Sequence, residues 1–228
     1  MKRQGLLPVI RQADCKKINP IGDSALLLQL SEEITLEVND RIRALDASLT
    51  EDPLDGILEW VPGYTSLLVT YDPTALDYAA VEAYVMSCLK RSALQTQYQP
   101  RKITLYVCYG GEDGPDLDAV AKYHSLSTSE IVDMHTRPTY RVGMMGFTPG
   151  FAYLMGLDPE LHTPRRDSPR THVPAGSVGI AGSQTGIYPL ESPGGWQLIG
   201  RTEQVLYDPA CDEPFLFSPG DEVRFEPL

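Results

Sequence analysis

The chain has 228 residues, of which 42% are hydrophobic and 22% charged, so it is long enough for a substantial core and its composition is unlike that of a disordered chain. Its 19 Lys and Arg residues face 31 Asp and Glu residues, and the resulting net charge of −12 disfavours nucleic-acid phosphates and anionic membranes as partners. No apolar run reaches the ~18 residues of a spanning helix and no clear signal peptide is present, so we expect a soluble, cytoplasmic protein.

The first hundred residues alternate between strand and helix patterns. In chain order they predict a strand over 24–30, a helix with Val38, Ile42, Leu45 and Leu49 on its apolar face, strands over 57–61 and 66–71 joined at Pro62-Gly63, a helix over 75–91 and a strand through Ile103, Leu105 and Val107. This β-α-β-β-α-β order is that of a ferredoxin-like unit built on a split β-α-β motif. Whether the last strand closes that unit or opens the next domain is left open by the pattern.

Glycine is concentrated in the second part of the chain, since residues 1–100 hold 4 of the 19 glycines and residues 101–228 hold 15. Such a density predicts tight turns and short strands, and the segments after Thr139 favour a small closed barrel or a sandwich. Before them, an acidic patch over 116–122 and a capping box formed by Ser127 and Glu130 predict short helices. The polar stretch 95–101 separates the two regimes, so we predict an α/β domain over 1–97 and a mainly-β domain over 98–228.

The cysteines and histidines carry no ligand spacing for a metal. The cysteines form no Cys-x-x-Cys pair, and no histidine has a neighbouring Cys or carboxylate at ligand spacing. The residues concerned are Cys15, Cys88, Cys108, Cys211, His124, His135, His162 and His172. We therefore predict no metal site.

An island of positive charge lies between His162 and His172. These eleven residues contain two histidines and three arginines (Arg165, Arg166 and Arg170), opposed only by Asp167. Arginine presents a planar donor fork that matches a carboxylate or phosphate, so this island predicts a site for an anionic small molecule. In the alternative interpretation, the arginines pair with the chain's own carboxylates or lie along a barrel wall.

The glycine-rich segment 174–189 follows, and it contains neither Gly-x-Gly-x-x-Gly nor a Walker A lysine. Ala175-x-Ser177-x-Gly179 loosely resembles a nucleophile elbow, but no histidine follows His172, so we reject a hydrolase triad. Gln184 and Tyr188 remain as hydrogen-bonding groups. The segments 146–154 and 192–202 couple glycine turns to aromatic rings, for which packing in a core is the simpler interpretation and ligand contact the alternative.

Four ordered segments, GFTPGFAYL, HTPRR, VPAGSVGIAGSQTGIYP and PGGWQLIGRT, resemble the family of the 5-oxoprolinase B subunit, which also includes KipI and allophanate hydrolase subunit 1. The resemblance implies an N-terminal α/β domain and a C-terminal cyclophilin-like β-barrel. It also implies ATP-dependent opening of 5-oxo-L-proline to L-glutamate, together with two 5-oxoprolinase partners, a cyclophilin-like C subunit and an A subunit. The implied cofactor is ATP, with or without Mg²⁺, held in part by these partners.

On this resemblance we assign hypothetical roles to eight residues. Activation of a lactam by phosphorylation needs a clamp for the carboxylate and cations around the phosphoryl group. Arg165 and Arg166 are the candidates for that clamp, while His162 assists proton transfer. The candidate substrate-binding residues are Gln184, Tyr188, Arg170, Trp196 and Gln197.

Two other functions fit the family. A KipI-type protein would inhibit a sensor histidine kinase through a protein surface and would need no catalytic residue. A carboxyltransferase-type subunit of a biotin-dependent urea carboxylase or allophanate system would depend on biotin and bicarbonate. We rank the oxoprolinase function first because an anion site is not needed for inhibition alone.

Overall fold

The computed structural model describes residues 17–92 and 100–228. The chain divides into two compact units, Met1–Tyr98 and Gln99–Leu228. That these units are the independent domains predicted at 1–97 and 98–228 stays a prediction. Cys15 and most of the predicted boundary stretch lie outside the described residues.

The first unit combines an antiparallel sheet with two helices. Its elements are β1 (Lys17–Ile21), β2 (Ala25–Gln29), α1 (Leu36–Glu51), β3 (Ile57–Pro62), β4 (Ser66–Tyr71) and α2 (Tyr78–Ser92). The sheet order is β1-β2-β4-β3 and every neighbouring pair is antiparallel. Helices α1 and α2 pack against each other and share one apolar core with the sheet.

The periodicity of the sequence explains this core. Ile42, Leu45 and Leu49 on α1 are fully buried, as their helical spacing predicts. The predicted hairpin of β3 and β4 is confirmed. Helix α2 begins at Tyr78 rather than at residue 75, because the Asp77 carboxylate accepts a hydrogen bond from the Ala80 N–H (2.8 Å) and caps the first turn there.

The fourth strand of this sheet differs from the ferredoxin-like prediction. Strands β2 and β3 flank β4, which is the split β-α-β arrangement expected. The edge beside β2, however, is occupied by β1, whereas the strand predicted to follow α2 belongs to the barrel of the second unit. Strand β1 escaped prediction because its sequence, KINPI, is largely exposed and lacks apolar alternation.

The second unit is a closed seven-stranded barrel with two helices, which confirms the mixed α/β class and the barrel. Its elements are β5 (Lys102–Tyr109), α3 (Leu117–His124), α4 (Thr128–Thr136), β6 (Tyr140–Met145), β7 (Ala152–Met155), β8 (Arg170–Val173), β9 (Ser177–Ala181), β10 (Gln184–Ile187), β11 (Ser192–Gly194), β12 (Gln197–Arg201) and β13 (Glu222–Pro227). The barrel order is β10-β7-β6-β13-β5-β12-β9, with β9 paired to β10. Strands β8 and β11 form a separate two-stranded sheet. Likeness to cyclophilin in particular stays a prediction.

Residues alternate between the inside and the outside of the barrel wall. On β10, Ile187 belongs to the barrel core, whereas Tyr188 just beyond its end belongs to a second apolar cluster. The members of that second cluster are Phe151, Val173, Ala181, Tyr188, Trp196 and Leu198, with Tyr153 packed against them. Val173 ends β8, and the other members come from or adjoin the neighbouring barrel strands β7, β10, β9 and β12, so the cluster covers the outer face of this part of the wall.

Two further observations concern the described ranges only. Among the helices at 17–92 and 100–228, none is long and apolar enough to cross a membrane. The thiols of Cys88, Cys108 and Cys211 are free.

Candidate functional site

Trp196 lies flat on the barrel wall because two strands carry glycine beneath it. A Cβ atom added at Gly179 would approach the Trp196 Cβ to 3.1 Å, and one added at Gly186 would approach the indole and the Phe151 ring to 3.1 Å each. The glycines of the segment 174–189 thus create a seat for an aromatic ring. Trp196 is 5% exposed, so little of its ring remains for a ligand, and its predicted role in substrate binding stays a prediction.

Two tyrosines of this second cluster lie within the electrostatic reach of arginine: Tyr188, which is a buried member of the cluster, and Tyr153, which packs against it and is half-buried. Burial raises the pKa of Tyr188 above its usual range, against a hydrogen bond from the Trp196 backbone N–H and the charges of Arg165 and Arg170. Burial likewise raises the pKa of Tyr153, against the charge of Arg165. Both hydroxyls are therefore neutral at pH 7 near a cation, and the half-buried Tyr153 is the more exposed of the two.

Arg165 is the cation of this group whose charge is not compensated. Its side chain is exposed, and within residues 17–92 and 100–228 no carboxylate forms an ion pair with it. In a chain of net charge −12, an arginine left without a carboxylate is available to an anion from outside. The role of Arg165 in a clamp stays a prediction.

The other two arginines of the island converge on Asp116. One carboxylate oxygen of this buried residue accepts hydrogen bonds from Arg166 Nη1 (2.9 Å) and Arg170 Nη2 (2.7 Å). The other oxygen accepts the Leu198 N–H (2.7 Å), which ties the arginines to the start of β12. Pairing with the chain's own carboxylates, the alternative interpretation from the sequence, is therefore correct for Arg166 and Arg170.

The pairing with Asp116 leaves donors unused. Arg166 Nε and Arg170 Nη1 are buried and have no hydrogen-bond partner among the described residues. Two guanidinium groups share one carboxylate, so the local charge remains positive. In their chemistry these donors suit a carboxylate or a phosphoryl oxygen, and both atoms are shielded from solvent in this structure.

Gly195 and Gln197, the sequence neighbours of Trp196, form hydrogen bonds with the segment 164–166. The Arg166 N–H donates to the Gly195 carbonyl (2.8 Å), and Gln197 Nε2 donates to the Pro164 carbonyl (3.0 Å). Gln197, a predicted substrate-binding residue, thus positions the segment through its side chain. Contact of Gln197 with substrate stays a prediction.

His162 lies near a second histidine, which the sequence pattern did not pair with it. His124 Nε2 donates to Thr163 Oγ1 (2.9 Å), because that hydroxyl itself donates to the Leu161 carbonyl (2.8 Å). Burial, and then the charge of His162, lowers the pKa of His124 below its usual value. His162 is exposed, so proton exchange with solvent is open to it.

The remaining predicted groups are placed as follows. The half-buried Gln184 lies on β10 on the same face as Gly186, as strand alternation requires. His172 Nδ1 lies 2.9 Å from a carboxylate oxygen of Glu191. Ser177 opens strand β9 and is buried, which agrees with rejection of a nucleophile elbow, since that motif requires a helix after the serine.

Sequence reasoning missed Asp116 and Tyr153 as members of the site. Asp116 is separated by 50 and 54 residues from its arginine partners, and it looked like the first residue of an acidic helix. Tyr153 lies in the segment 146–154, for which packing in a core is the simpler interpretation of the sequence. The arginine-rich segment does predict that a carboxylate lies nearby if its arginines are buried, because buried cations require a counter-charge, but it does not say which carboxylate.

Residues 16–217 match the family described as "Carboxyltransferase domain, subdomain C and D". The match spans most of the chain, and the chain belongs to this family.

Within it, the chain belongs with the B subunit of 5-oxoprolinase. It is 43% identical over 219 residues to the 5-oxoprolinase B subunit of Bacillus subtilis (strain 168), covering 92% of this chain and 91% of that protein. It is 46% identical over 208 residues to the protein of the same name from Escherichia coli O157:H7, covering 91% and 94%.

Two solved structures share the fold. The crystal structure of TTHA0988 superimposes with a TM-score of 0.79 at 40% identity, covering 90% of this chain and 40% of that chain. The chain therefore spans less than half of that solved protein. The urea amidolyase of K. lactis superimposes with a TM-score of 0.76 at 25% identity, covering 98% of this chain and 15% of that one.

Proposed function

We propose that this chain is part of an ATP-dependent 5-oxoprolinase, which opens 5-oxo-L-proline to L-glutamate together with the A and C subunits of that enzyme. The observation that carries the proposal is the uncompensated Arg165 beside the neutral hydroxyls of Tyr153 and Tyr188. The substrate is a small ring that bears a carboxylate and a lactam carbonyl, so it offers one group to the cation and one to a hydroxyl donor. The names of the relatives from B. subtilis and E. coli support the same reaction.

In this proposal each residue acts on a stated part of the substrate. Arg165 binds the carboxylate through its guanidinium fork, and Arg166 and Arg170 keep the neighbouring potential positive through their unused donors. The Tyr188 hydroxyl and the Gln184 amide orient the lactam. Water adds to the activated carbonyl carbon, the C–N bond breaks, phosphate is released, and His162 gives the ring nitrogen the proton that it takes up as it leaves. The charge of His162 also acts on His124.

ATP supplies the phosphoryl group that activates the lactam carbonyl. The unused donors Arg166 Nε and Arg170 Nη1 fit a phosphoryl oxygen as well as a carboxylate, so these two residues are the ones that would face it. Across residues 17–92 and 100–228, no group of three His, Cys, Asp or Glu side chains could hold a metal ion. Mg²⁺ bound together with ATP, held in part by the partner subunits, stays a prediction.

The test is reconstitution of the chain with the A and C subunits, followed by measurement of glutamate release from 5-oxoproline with and without ATP. We expect release that requires ATP and this chain. Arg165→Ala should lower kcat/KM by about 10- to 100-fold, which corresponds to one charge-assisted hydrogen bond. Arg224→Ala, an exposed arginine on β13, is the matched control and should leave the rate unchanged. An unchanged rate with Arg165→Ala would remove Arg165 from the site.

The match to the carboxyltransferase family and to urea amidolyase favours a second candidate, a component of a biotin-dependent urea carboxylase. This candidate requires biotin and bicarbonate and predicts no glutamate release from 5-oxoproline. We rank it second because identity to urea amidolyase is 25%, against 43% and 46% for the two 5-oxoprolinase relatives. Inhibition of a sensor histidine kinase stays a prediction.

A further inference from the structure

Phe147 occupies a backbone conformation that a bulky residue rarely adopts. Among the described residues other than glycine, Ser125 and Phe147 have positive φ angles, of 59° and 67°. Ser125 ends helix α3, where the left-handed conformation is ordinary. Phe147 instead lies in the turn between β6 and β7, where its side chain makes the conformation costly.

Hydrogen bonds across the turn hold Phe147 in this conformation. The Gly146 N–H donates to the Phe151 carbonyl (3.2 Å), the Thr148 N–H to the Gly146 carbonyl (2.8 Å) and the Phe151 N–H to the Thr148 carbonyl (3.0 Å). Glycine stands next to Phe147 and again at Gly150, yet phenylalanine occupies the strained position. Strain that the surrounding structure maintains is characteristic of functional positions.

The strained residue also exposes its ring. Phe147 is 58% exposed, although it contacts the outer cluster edge-on, with ring centroids 5.4 Å from Phe151 and 6.2 Å from Tyr188. Tyr188 is the tyrosine whose hydroxyl lies within the electrostatic reach of Arg165 and Arg170. The exposed ring of Phe147 contacts Tyr188, and the charges of Arg165 and Arg170 act on the same tyrosine.

We propose that Phe147 is a specificity-determining residue, whose exposed face contacts the apolar ring carbons of a small cyclic carboxylate while Arg165 binds the carboxylate. This inference rests on the proposed function and extends it, because it assigns the recognition of the ring rather than of the charge. A compact ligand with one anionic end and one apolar face satisfies both neighbours of Tyr188. A partner protein is the less favoured occupant, since the exposed ring and the cations converge on one side chain.

The test compares Phe147→Gly with the wild-type chain in the reconstituted complex. Glycine adopts a positive φ without steric cost, so we expect the Tm of the variant to be unchanged or higher. The KM for 5-oxoproline should rise on the order of tenfold through the lost apolar contact, with kcat little changed. Phe147→Leu should lie between the two. Ser125→Gly, which relieves the other left-handed residue, is the matched control and should leave KM unchanged.

A binding measurement on the full chain separates this inference from the proposed function. By calorimetry, wild type should prefer cyclopentanecarboxylate to acetate, and Phe147→Gly should lose that preference while it keeps its affinity for acetate. This comparison stands even if the complex releases no glutamate. Three results for Phe147→Gly would overturn the inference. The first is an unchanged KM for 5-oxoproline together with an unchanged preference for cyclopentanecarboxylate, and the second is a fall in Tm that accounts for the loss of activity. The third is a variant that keeps the preference but no longer assembles with the partner subunits, which would assign Phe147 to a partner surface.

Discussion

Asp116 is the residue on which the arginine segment depends, since one of its oxygens accepts hydrogen bonds from both Arg166 and Arg170. Its second oxygen accepts the Leu198 N–H, and its own N–H donates to the Leu198 carbonyl (2.9 Å). The residue also precedes helix α3, but its side chain does not cap that helix. A residue usually assigned to local capping therefore serves a contact that is distant in sequence.

We predict that Asp116→Asn destabilises the chain by about 2–3 kcal/mol, because two arginines then lose their counter-charge in a largely buried position. Glutamate release should fall as well, since Arg166 and Arg170 are no longer held. Urea unfolding and the rate of the reconstituted complex measure the two effects. Asp118, an exposed carboxylate in the first turn of helix α3, provides the control: Asp118→Asn should lower the free energy of unfolding by a few tenths of a kcal/mol at most. Equal effects of the two substitutions would contradict the assigned role.

What the sequence could predict at this scale follows from the range of the interactions. The capping box of Ser127 and Glu130 is confirmed, because both partners lie within one helical turn. The charged island was visible because its arginines are neighbours in the chain. The choice of Arg166 and Arg170, rather than Arg165, as partners of a carboxylate was not visible, because it depends on where the barrel brings Asp116.

Strands β9 and β10 contact apolar residues on both faces, since a second apolar cluster packs against their outer face. Their inward residues, such as Ile180 and Ile187, fill the barrel core. Outward, Gly179 and Gly186 leave room for Trp196, whose indole lies across both strands. The sequence predicted short, glycine-rich strands, but it could not show that the glycines serve one particular ring.

We predict that Gly186→Ala displaces Trp196 and destabilises the barrel by about 1–3 kcal/mol, since the added methyl group would lie 2.9 Å from the Ala152 carbonyl oxygen and 3.1 Å from two rings. The tryptophan emission should shift to longer wavelength as the indole becomes more exposed. Gly195→Ala is the matched control, because its added Cβ would meet nothing closer than 3.6 Å. An unchanged emission and Tm for Gly186→Ala would show that the wall adjusts without moving the indole.

For the whole chain, the rise in glycine content after residue 100 predicts short strands and tight turns, and the closed barrel lies in that part of the chain. The order of strands in the barrel could not be predicted from the sequence, because β5 pairs in parallel with β13, which lies more than a hundred residues further along the chain. The net charge of −12 was equally informative, since it makes the arginine island stand out. Composition thus indicates the kind of architecture, whereas the pairing of distant strands determines where its side chains meet.

A buried histidine links the stability of the barrel to pH. His135 is fully buried between Tyr109, whose hydroxyl lies 2.8 Å from Nδ1, and Thr185, whose Oγ1 lies 3.0 Å from Nε2. Thr185 Oγ1 donates to the Gly179 carbonyl (3.0 Å), so it accepts from His135 Nε2–H, and Nδ1 accepts from Tyr109. Both ring nitrogens are satisfied in the neutral imidazole, and burial lowers the pKa of His135 to about 3.

We predict that the chain loses about 2 kcal/mol of stability between pH 7 and pH 5 through His135 alone. In the unfolded chain this histidine has its ordinary pKa of 6.5, so between pH 6.5 and pH 3 the unfolded state binds a proton at His135 and the folded state does not. Protonation therefore favours the unfolded state in this range and lowers the free energy of unfolding. The contribution of His135 is therefore complete above pH 6.5 and is lost as the pH falls toward 3. Urea unfolding at several pH values measures the slope. His135→Gln, whose amide can donate to Thr185 and accept from Tyr109, should be less stable at pH 7 but show a flatter profile down to pH 5. Parallel profiles for the variant and the wild-type chain would mean that other groups carry the acid sensitivity and that His135 is protonated in the folded barrel.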